Sequence, residues 1–165
     1  PTPSYCHRRR ASPMNDVINR IHSDSRLANF IEASRTPLRI ACNTDSHFPL
    51  IVPLWFLFDG EAFWCVTHKD AKLLKHLYKD QRVGFEIANN EPPYAGARGH
   101  GTVELIAEKG AELLPRLLNR YFIREESRLA TWLLSRAEDE VAIRLDPLYI
   151  NGWDYQQRMQ DAREF

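Results

Sequence analysis

The apolar residues follow two different periods along the chain. Between residues 14 and 35, Val17, Ile18, Ile21, Leu27, Ala28, Phe30 and Ile31 recur at helical spacing. Ser23-Asp24-Ser25 divides this run, with Asp24 or Ser25 available to cap a second helix. Ser34-Arg35-Thr36-Pro37 ends it, because the residue before a proline resists helical backbone. The period then drops to two. Leu38, Ile40 and Cys42 alternate with Arg39, Ala41 and Asn43, and Val83, Phe85 and Ile87 with Arg82, Gly84 and Glu86. Gly101, Val103 and Leu105 alternate with Thr102, Glu104 and Ile106, and Val141, Ile143 and Leu145 with Ala142 and Arg144. Each set predicts a half-buried strand. Residues 50–58 are more continuously apolar, which predicts a strand buried on both faces. Asp59-Gly60 is a two-residue hairpin signal leading into a further strand over residues 61–67.

Six strands with short links point to a mainly β fold with flanking helices, closed or nearly closed as a barrel, because closure removes exposed edges. A helical insert is predicted at about residues 110–137, between the fifth and sixth strands. It carries two apolar stripes, one of Leu113, Leu114, Leu117, Leu118, Tyr121 and Phe122 and one of Leu129, Trp132, Leu133 and Leu134. Both are expected to pack against the core. No internal repeat is visible, and a length of 165 residues fits a single domain over residues 14–165. Residues 1–13, with the basic run His7-Arg8-Arg9-Arg10 followed by Ala11-Ser12-Pro13, read as a flexible basic arm.

Charge narrows the function classes. Lys plus Arg and Asp plus Glu both number 22, so no bulk positive charge recommends a nucleic-acid partner. The longest apolar run is interrupted by Pro53 and falls far short of the ~20 residues of a spanning helix, so no membrane segment is expected. No secretory signal pattern is visible either. Cys6, Cys42 and Cys65 form no C-x-x-C pair, which suits a reducing cytoplasm without a disulfide framework.

Most familiar chemical motifs are missing from the sequence. None of the six histidines makes an H-E-x-x-H or sits beside a cysteine pair, so no metal site is predicted. There is no G-x-S-x-G, and Cys65 lies mid-strand between Trp64 and Val66. Gly99-His100-Gly101 lies within a strand, where glycines mark a bulge or a close approach. One stretch does suggest a ligand. Thr67-His68-Lys69-Asp70-Ala71-Lys72 opens a short amphipathic segment, where free N–H groups at a helix start and ammonium groups at Lys69 and Lys72 would suit an anion. Trp55, Phe56, Phe58, Phe63 and Trp64 crowd the two strands before it. Most belong in a core, but an aromatic at the barrel surface near a phosphate site would suit a planar ring such as a flavin.

Pro53-Leu54-Trp55-Phe56, then Asp59-Gly60, then Thr67 with Lys72 five residues on, together resemble the pyridoxamine 5′-phosphate oxidase-like family. Asp80-Gln81-Arg82-Val83 with Phe85 is similar to the start of that family's fourth strand. Pro92-Pro93-Tyr94, followed by Arg98 and Gly101-Thr102-Val103-Glu104-Leu105, is similar to its next strand. The likeness runs over about residues 25–155 and implies a six-stranded split β-barrel of the FMN-binding type, working as a homodimer with flavin in a groove between subunits. It implies Lys72 on the FMN phosphate, with Thr67 and Lys69 beside it. It implies Pro53, Leu54 and Trp55 along the isoalloxazine ring, Arg98 as a basic position on the later strand, and Trp153 approaching flavin from the other subunit. Arg39 is a further basic group on the first strand.

The departures are as specific as the likeness. Gly96 stands where the oxidases place a flavin-contacting glutamine, and Arg158 and Arg163 do not form the family's C-terminal arginine pattern. The resemblance therefore implies an FMN-dependent oxidoreductase acting on a small molecule that the sequence does not identify, with pyridoxamine phosphate itself disfavoured and no catalytic acid or base named. Barrels of this shape also hold a deazaflavin coenzyme, for which Lys75 and Lys79 would be suited. They hold haem as well, for which His68, His76 or His100 would be axial candidates. A flavin-binding dimer without catalysis is the remaining alternative.

Overall fold

A computed structural model describes residues 13–160. His7, Arg8, Arg9, Arg10, Cys6 and Arg163 lie outside the described residues. Helices α1 (Pro13–Ser23) and α2 (Ser25–Ala33) part at Asp24. The Asp24 carboxylate accepts the N–H groups of Arg26 and Leu27, each at 3.1 Å, and so fills two of the donors that a helix start leaves free. Ile21, Leu27 and Ile31 are buried against the sheet.

The strands are β1 (Leu38–Cys42), β2 (Leu50–Leu54), β3 (Phe56–Phe58), β4 (Phe63–His68), β5 (Arg82–Ala88), β6 (Ala95–Ile106) and β7 (Glu140–Asp154). They form one antiparallel sheet in the order β2-β1-β5-β6-β7-β4-β3. Its two outermost strands, β2 and β3, are consecutive in the chain and separated only by Trp55. The sheet therefore curls until its ends meet, giving a mainly β half-barrel with flanking helices.

Seven strands form where the sequence predicts six, because residues 50–58 are not one strand. Leu54 pairs with Leu38 of β1, whereas Phe56 pairs with Cys65 of β4. Trp55 is the bend at which the chain changes partner. Nor are both faces of this run buried. Leu54 and Phe56 point into the core, but Ile51 is 61% exposed. The unbroken apolar run thus records a change of partner and an open outer face.

Inside the half-barrel, Leu38, Ile40, Phe56, Phe63, Ile87, Ile143 and Leu145 are fully buried. Each such side chain contributes about 1.5–3 kcal/mol relative to exposure. Phe63 joins two walls, with ring centroids 4.8 Å from Phe58 and 5.3 Å from Phe85. The strands β6 and β7 run together along their whole length, with a register shift between His100 and Gly101. A Cβ on Gly99 would lie 2.0 Å from the Tyr149 carbonyl oxygen, so glycine is what lets the two backbones approach.

Three helices close the structure. α3 (Lys72–Leu77) buries Leu73, Leu74 and Leu77. α4 (Gly110–Arg120) buries Leu113, Leu114, Leu117 and Leu118 of its predicted stripe, but Tyr121 is only half-buried and Phe122, past the helix end, is 77% exposed. α5 (Arg128–Leu134) departs from expectation, because Trp132 is 52% exposed and Leu129 and Leu134 are exposed too. This short helix buries only Ala130 against Leu114 and Leu118, with Leu133 half-buried beside it. No helix among the described residues is long and apolar enough to cross a membrane.

Candidate functional site

The bend at Trp55 opens a cavity of about 400 Å³. Pro53, Leu54 and Trp55 form one wall, and Pro37, Val66 and Glu140 line it further. Leu114 and Leu117 of α4 and Leu133 of α5 line its other side. The bend is held from outside. The Trp55 ring stacks on Tyr121 with centroids 5.0 Å apart, and the Tyr121 hydroxyl accepts the Phe56 N–H at 3.2 Å. Burial pushes the Tyr121 phenol up from its ordinary pKa.

Thr67 follows Val66 on β4, and the strand ends at His68. The next residues correct the expected anion site. Helix α3 begins at Lys72 and spans six residues, with Ala71 at its N-cap and no side-chain cap. Lys69 therefore precedes the helix and does not share a helical face with Lys72. Its backbone N–H donates to the Asp139 carbonyl at 2.8 Å, and its ammonium donates to the Asp139 carboxylate at 2.6 Å. This hydrogen bond raises the Lys69 pKa and holds the Asp139 carboxyl below the usual range. Lys72 is exposed and has no side-chain partner among the described residues.

Glu140, which sequence reasoning did not single out, is the one charged residue in the buried core among those described. It opens β7 opposite His68. Both guanidinium contacts it receives from Arg136, at 3.3 and 3.4 Å, go to the same oxygen, Oε1. The available signal was the acidic run Glu138-Asp139-Glu140 set directly before an apolar strand.

Arg98 and Trp153 lie elsewhere. Trp153 pairs with Gly96 across the β6–β7 ladder, and Arg98 pairs with Asn151. The Arg98 guanidinium sits 5.3 Å from the Trp153 ring. A Cβ on Gly96 would lie 2.4 Å from Trp153 Cζ2, so the indole occupies the space of any side chain at position 96. Arg98 lines an open depression of about 440 Å³ on the outer face of the sheet, together with Arg39, Ile51, Gly84, His100 and Tyr149. Arg39 is engaged there by Asn90 at 2.7 Å and Glu86 at 3.4 Å. One copy of the chain thus gathers Pro53, Leu54 and Trp55 at the cavity and carries Thr67, Lys69 and Lys72 just beyond Val66. It does not bring Arg98 or Trp153 to that cavity.

The remaining reactive groups are occupied or inert. His68 Nδ1 lies 3.6 Å from Asp70, His100 stacks on Tyr149, and His76 lines a polar cleft with His47 and Asp80. Burial pushes the Cys65 thiol up to about 12, which keeps it protonated and unreactive.

With this geometry in place, comparison with known proteins is informative. The family model described as pyridoxamine 5′-phosphate oxidase matches residues 24–154. Among solved structures, a protein named F420 reductase is 17% identical, covering 74% of this chain and 94% of that one, with a TM-score of 0.63. HutZ, named as the haem storage protein of Vibrio cholerae, is 11% identical, covering 79% and 93%, with a TM-score of 0.59. A protein from Mesorhizobium loti named as FAD-binding is 15% identical, covering 76% and 88%, with a TM-score of 0.54. No curated protein matches the chain.

Proposed function

Since the chain belongs to the pyridoxamine 5′-phosphate oxidase family, we propose that it is an FMN-binding oxidoreductase that acts on a small molecule as a homodimer. The observation that carries this reading is the cavity walled by Pro53, Leu54 and Trp55, with Thr67 and Lys72 following on from its Val66 wall. Its volume lies within the range of about 300–1,000 Å³ usual for small-ligand sites. Apolar walls suit a flat ring, and the unpaired Lys72 ammonium suits a phosphate. FMN bound there would supply the redox chemistry. The protein's own residues would hold it: Pro53, Leu54 and Trp55 would border the ring, Thr67 and Lys72 would take the phosphate, and Leu114 and Leu117 of α4 would add an apolar wall. Lys69 assists only as far as Asp139 releases it. Arg98 and Trp153, on the open outer face, serve the site of a second copy.

The expected measurement is a yellow flavin spectrum from the purified protein. Lys72→Ala is expected to weaken FMN retention about tenfold, the scale of one hydrogen bond to a charged group, with little change in melting temperature. A Lys72→Ala protein that purifies with a full complement of flavin would defeat this assignment.

A deazaflavin is the second reading, favoured by the likeness to a protein named F420 reductase and by the exposed Lys75 farther along α3. The likeness to HutZ keeps haem as a third, which a sharp Soret band would reveal. Anaerobic addition of reduced nicotinamide tests catalysis. Steady bleaching of bound flavin supports an oxidoreductase, and no reduction by any donor supports a binding module.

A further inference from the structure

Glu140 is 4% exposed and lines a cavity whose other walls are almost wholly apolar. A carboxylate in such a place is costly unless its oxygens are hydrogen-bonded. Arg136 meets only half of that demand. Its Nε and Nη2 groups both reach Oε1, whereas Oε2 accepts no hydrogen bond from the described residues and keeps some solvent contact, since the one fully buried unpaired side-chain atom among them is Arg120 Nε. The contrast with the polar cleft near β1 is sharp. There Asp45 is paired with Lys79, and Asp80 with Arg82 and Asn43, so its carboxylates are already engaged by the protein.

The position of Glu140 is also fixed in advance. A Cβ on Gly110, at the start of α4, would lie 1.9 Å from the Glu140 carbonyl oxygen. The helix that lines one side of the cavity is therefore pressed onto the backbone that carries this carboxylate. Arg136 is anchored in turn, with its guanidinium 4.2 Å from the Trp132 ring. A rigid acceptor set into an apolar wall is the arrangement by which small-ligand sites fix orientation.

We infer that Glu140 is the positioning residue for the ligand's ring, accepting a ring N–H on Oε2, and that the cavity selects flat heterocycles bearing an N–H donor at one edge. This rests on the flavin reading above. The isoalloxazine ring carries such a donor at N3, and so does a deazaflavin. A haem edge offers methyl, vinyl and propionate groups, and a propionate beside Glu140 would bring like charges together. The preference is therefore for the flavin-type rings over haem.

The test uses the ring without its phosphate. Riboflavin and 3-methylriboflavin are titrated into the full-length protein freed of ligand, with tryptophan and flavin fluorescence as the readout. The wild type is expected to prefer riboflavin by about tenfold, the worth of one charge-assisted hydrogen bond. Glu140→Ala, which removes the acceptor and leaves room for the methyl group, is expected to abolish the preference. Glu140→Gln, which keeps the shape, reduces it to a few-fold and guards against a folding defect in the alanine variant. A purely structural Glu140 would lower both affinities together and leave their ratio unchanged, and that result overturns the inference. So does a wild type that binds both compounds equally, although the flavin reading then survives. If neither compound nor FMN binds at all, the flavin reading fails and takes the inference with it.

Discussion

The cavity beside Trp55 and the depression on the outer face sit on different parts of one sheet; both open to solvent, but they are lined in different ways. At the cavity, the protein's own helices add a second apolar wall, through Leu114, Leu117 and Leu133. On the outer face of β1, β5 and β6, Gly84 and Gly99 give a floor with no side chains, and Ile51 and Tyr149 stand 61% and 45% exposed above it. One region is walled by helices as well as strands of the same chain. The other presents Ile51 and Tyr149 to solvent beside the charged groups of Arg39, Glu86 and Arg98, as an interface does before its partner arrives. The family's groove between subunits would need both kinds of region, one from each copy.

The largest expected effect tests the helix-walled side. Leu117 is almost fully buried in α4 and lines the cavity. Leu117→Ala is expected to cost about 2–5 kcal/mol in urea unfolding, because the truncated side chain leaves a void. A cost below about 0.5 kcal/mol, the usual scale of a surface change, would mean that the insert is not packed as described. Next comes the floor of the open side. Gly99→Ala would force a methyl group against the Tyr149 carbonyl oxygen, with an expected cost of about 1–3 kcal/mol as the β6–β7 ladder yields. Unchanged stability there would refute the close strand approach.

These two positions also show what could be read from the sequence. The leucine stripe of α4 was legible because helical periodicity encodes which face a helix buries within its own chain. The glycines of Gly99-His100-Gly101 were legible as a bulge or close approach for a similar local reason. The division of residues 50–58 at Trp55 was not. An apolar run looks the same whether it pairs with one strand or passes between two, and pairing is set by distant residues. The site divides along the same line. Pro53, Leu54, Trp55, Thr67 and Lys72 could be proposed from local order and spacing. That Asp139, seventy positions beyond Lys69, would claim its ammonium depends on the β4–β7 pairing, which no local pattern carries. Glu140 escaped notice because a charged residue before a strand usually stays in water.

The third prediction concerns the open side alone. Ile51→Glu places a charge where the neighbouring side chains leave Ile51 in solvent. Unfolding of the isolated chain is expected to change by no more than about 0.5 kcal/mol. Gel filtration is expected to report a shift from dimer to monomer. An unchanged apparent mass for a dimeric wild type would mean that the two copies meet elsewhere. A monomeric wild type would remove the second copy from the comparison altogether.

The smallest expected effect lies beside the cavity, at the Lys69–Asp139 pair next to Glu140. The hydrogen bond from Lys69 holds the Asp139 carboxyl below its ordinary value. A depressed folded-state pKa gives a stabilising contribution that is complete above the unfolded value of about 3.9 and fades as pH falls through the folded one. At neutral pH the pair is therefore fully formed, and the Lys69 ammonium is directed at Asp139 and away from any phosphate. Because both groups are largely exposed, the bond adds little to stability, and its consequence falls on binding. Asp139→Asn keeps the shape and removes the charge. If the flavin phosphate lies near Lys72, the released ammonium is expected to tighten FMN a few-fold while leaving riboflavin unchanged, since only FMN carries the phosphate. A gain shared by both ligands would reflect a change in the cavity instead. No gain for either would separate Lys69 from the phosphate site and leave Lys72 as its sole ammonium. Repeating the titration at high salt decides whether any gain is electrostatic, because an exposed charge pair loses its advantage as screening grows.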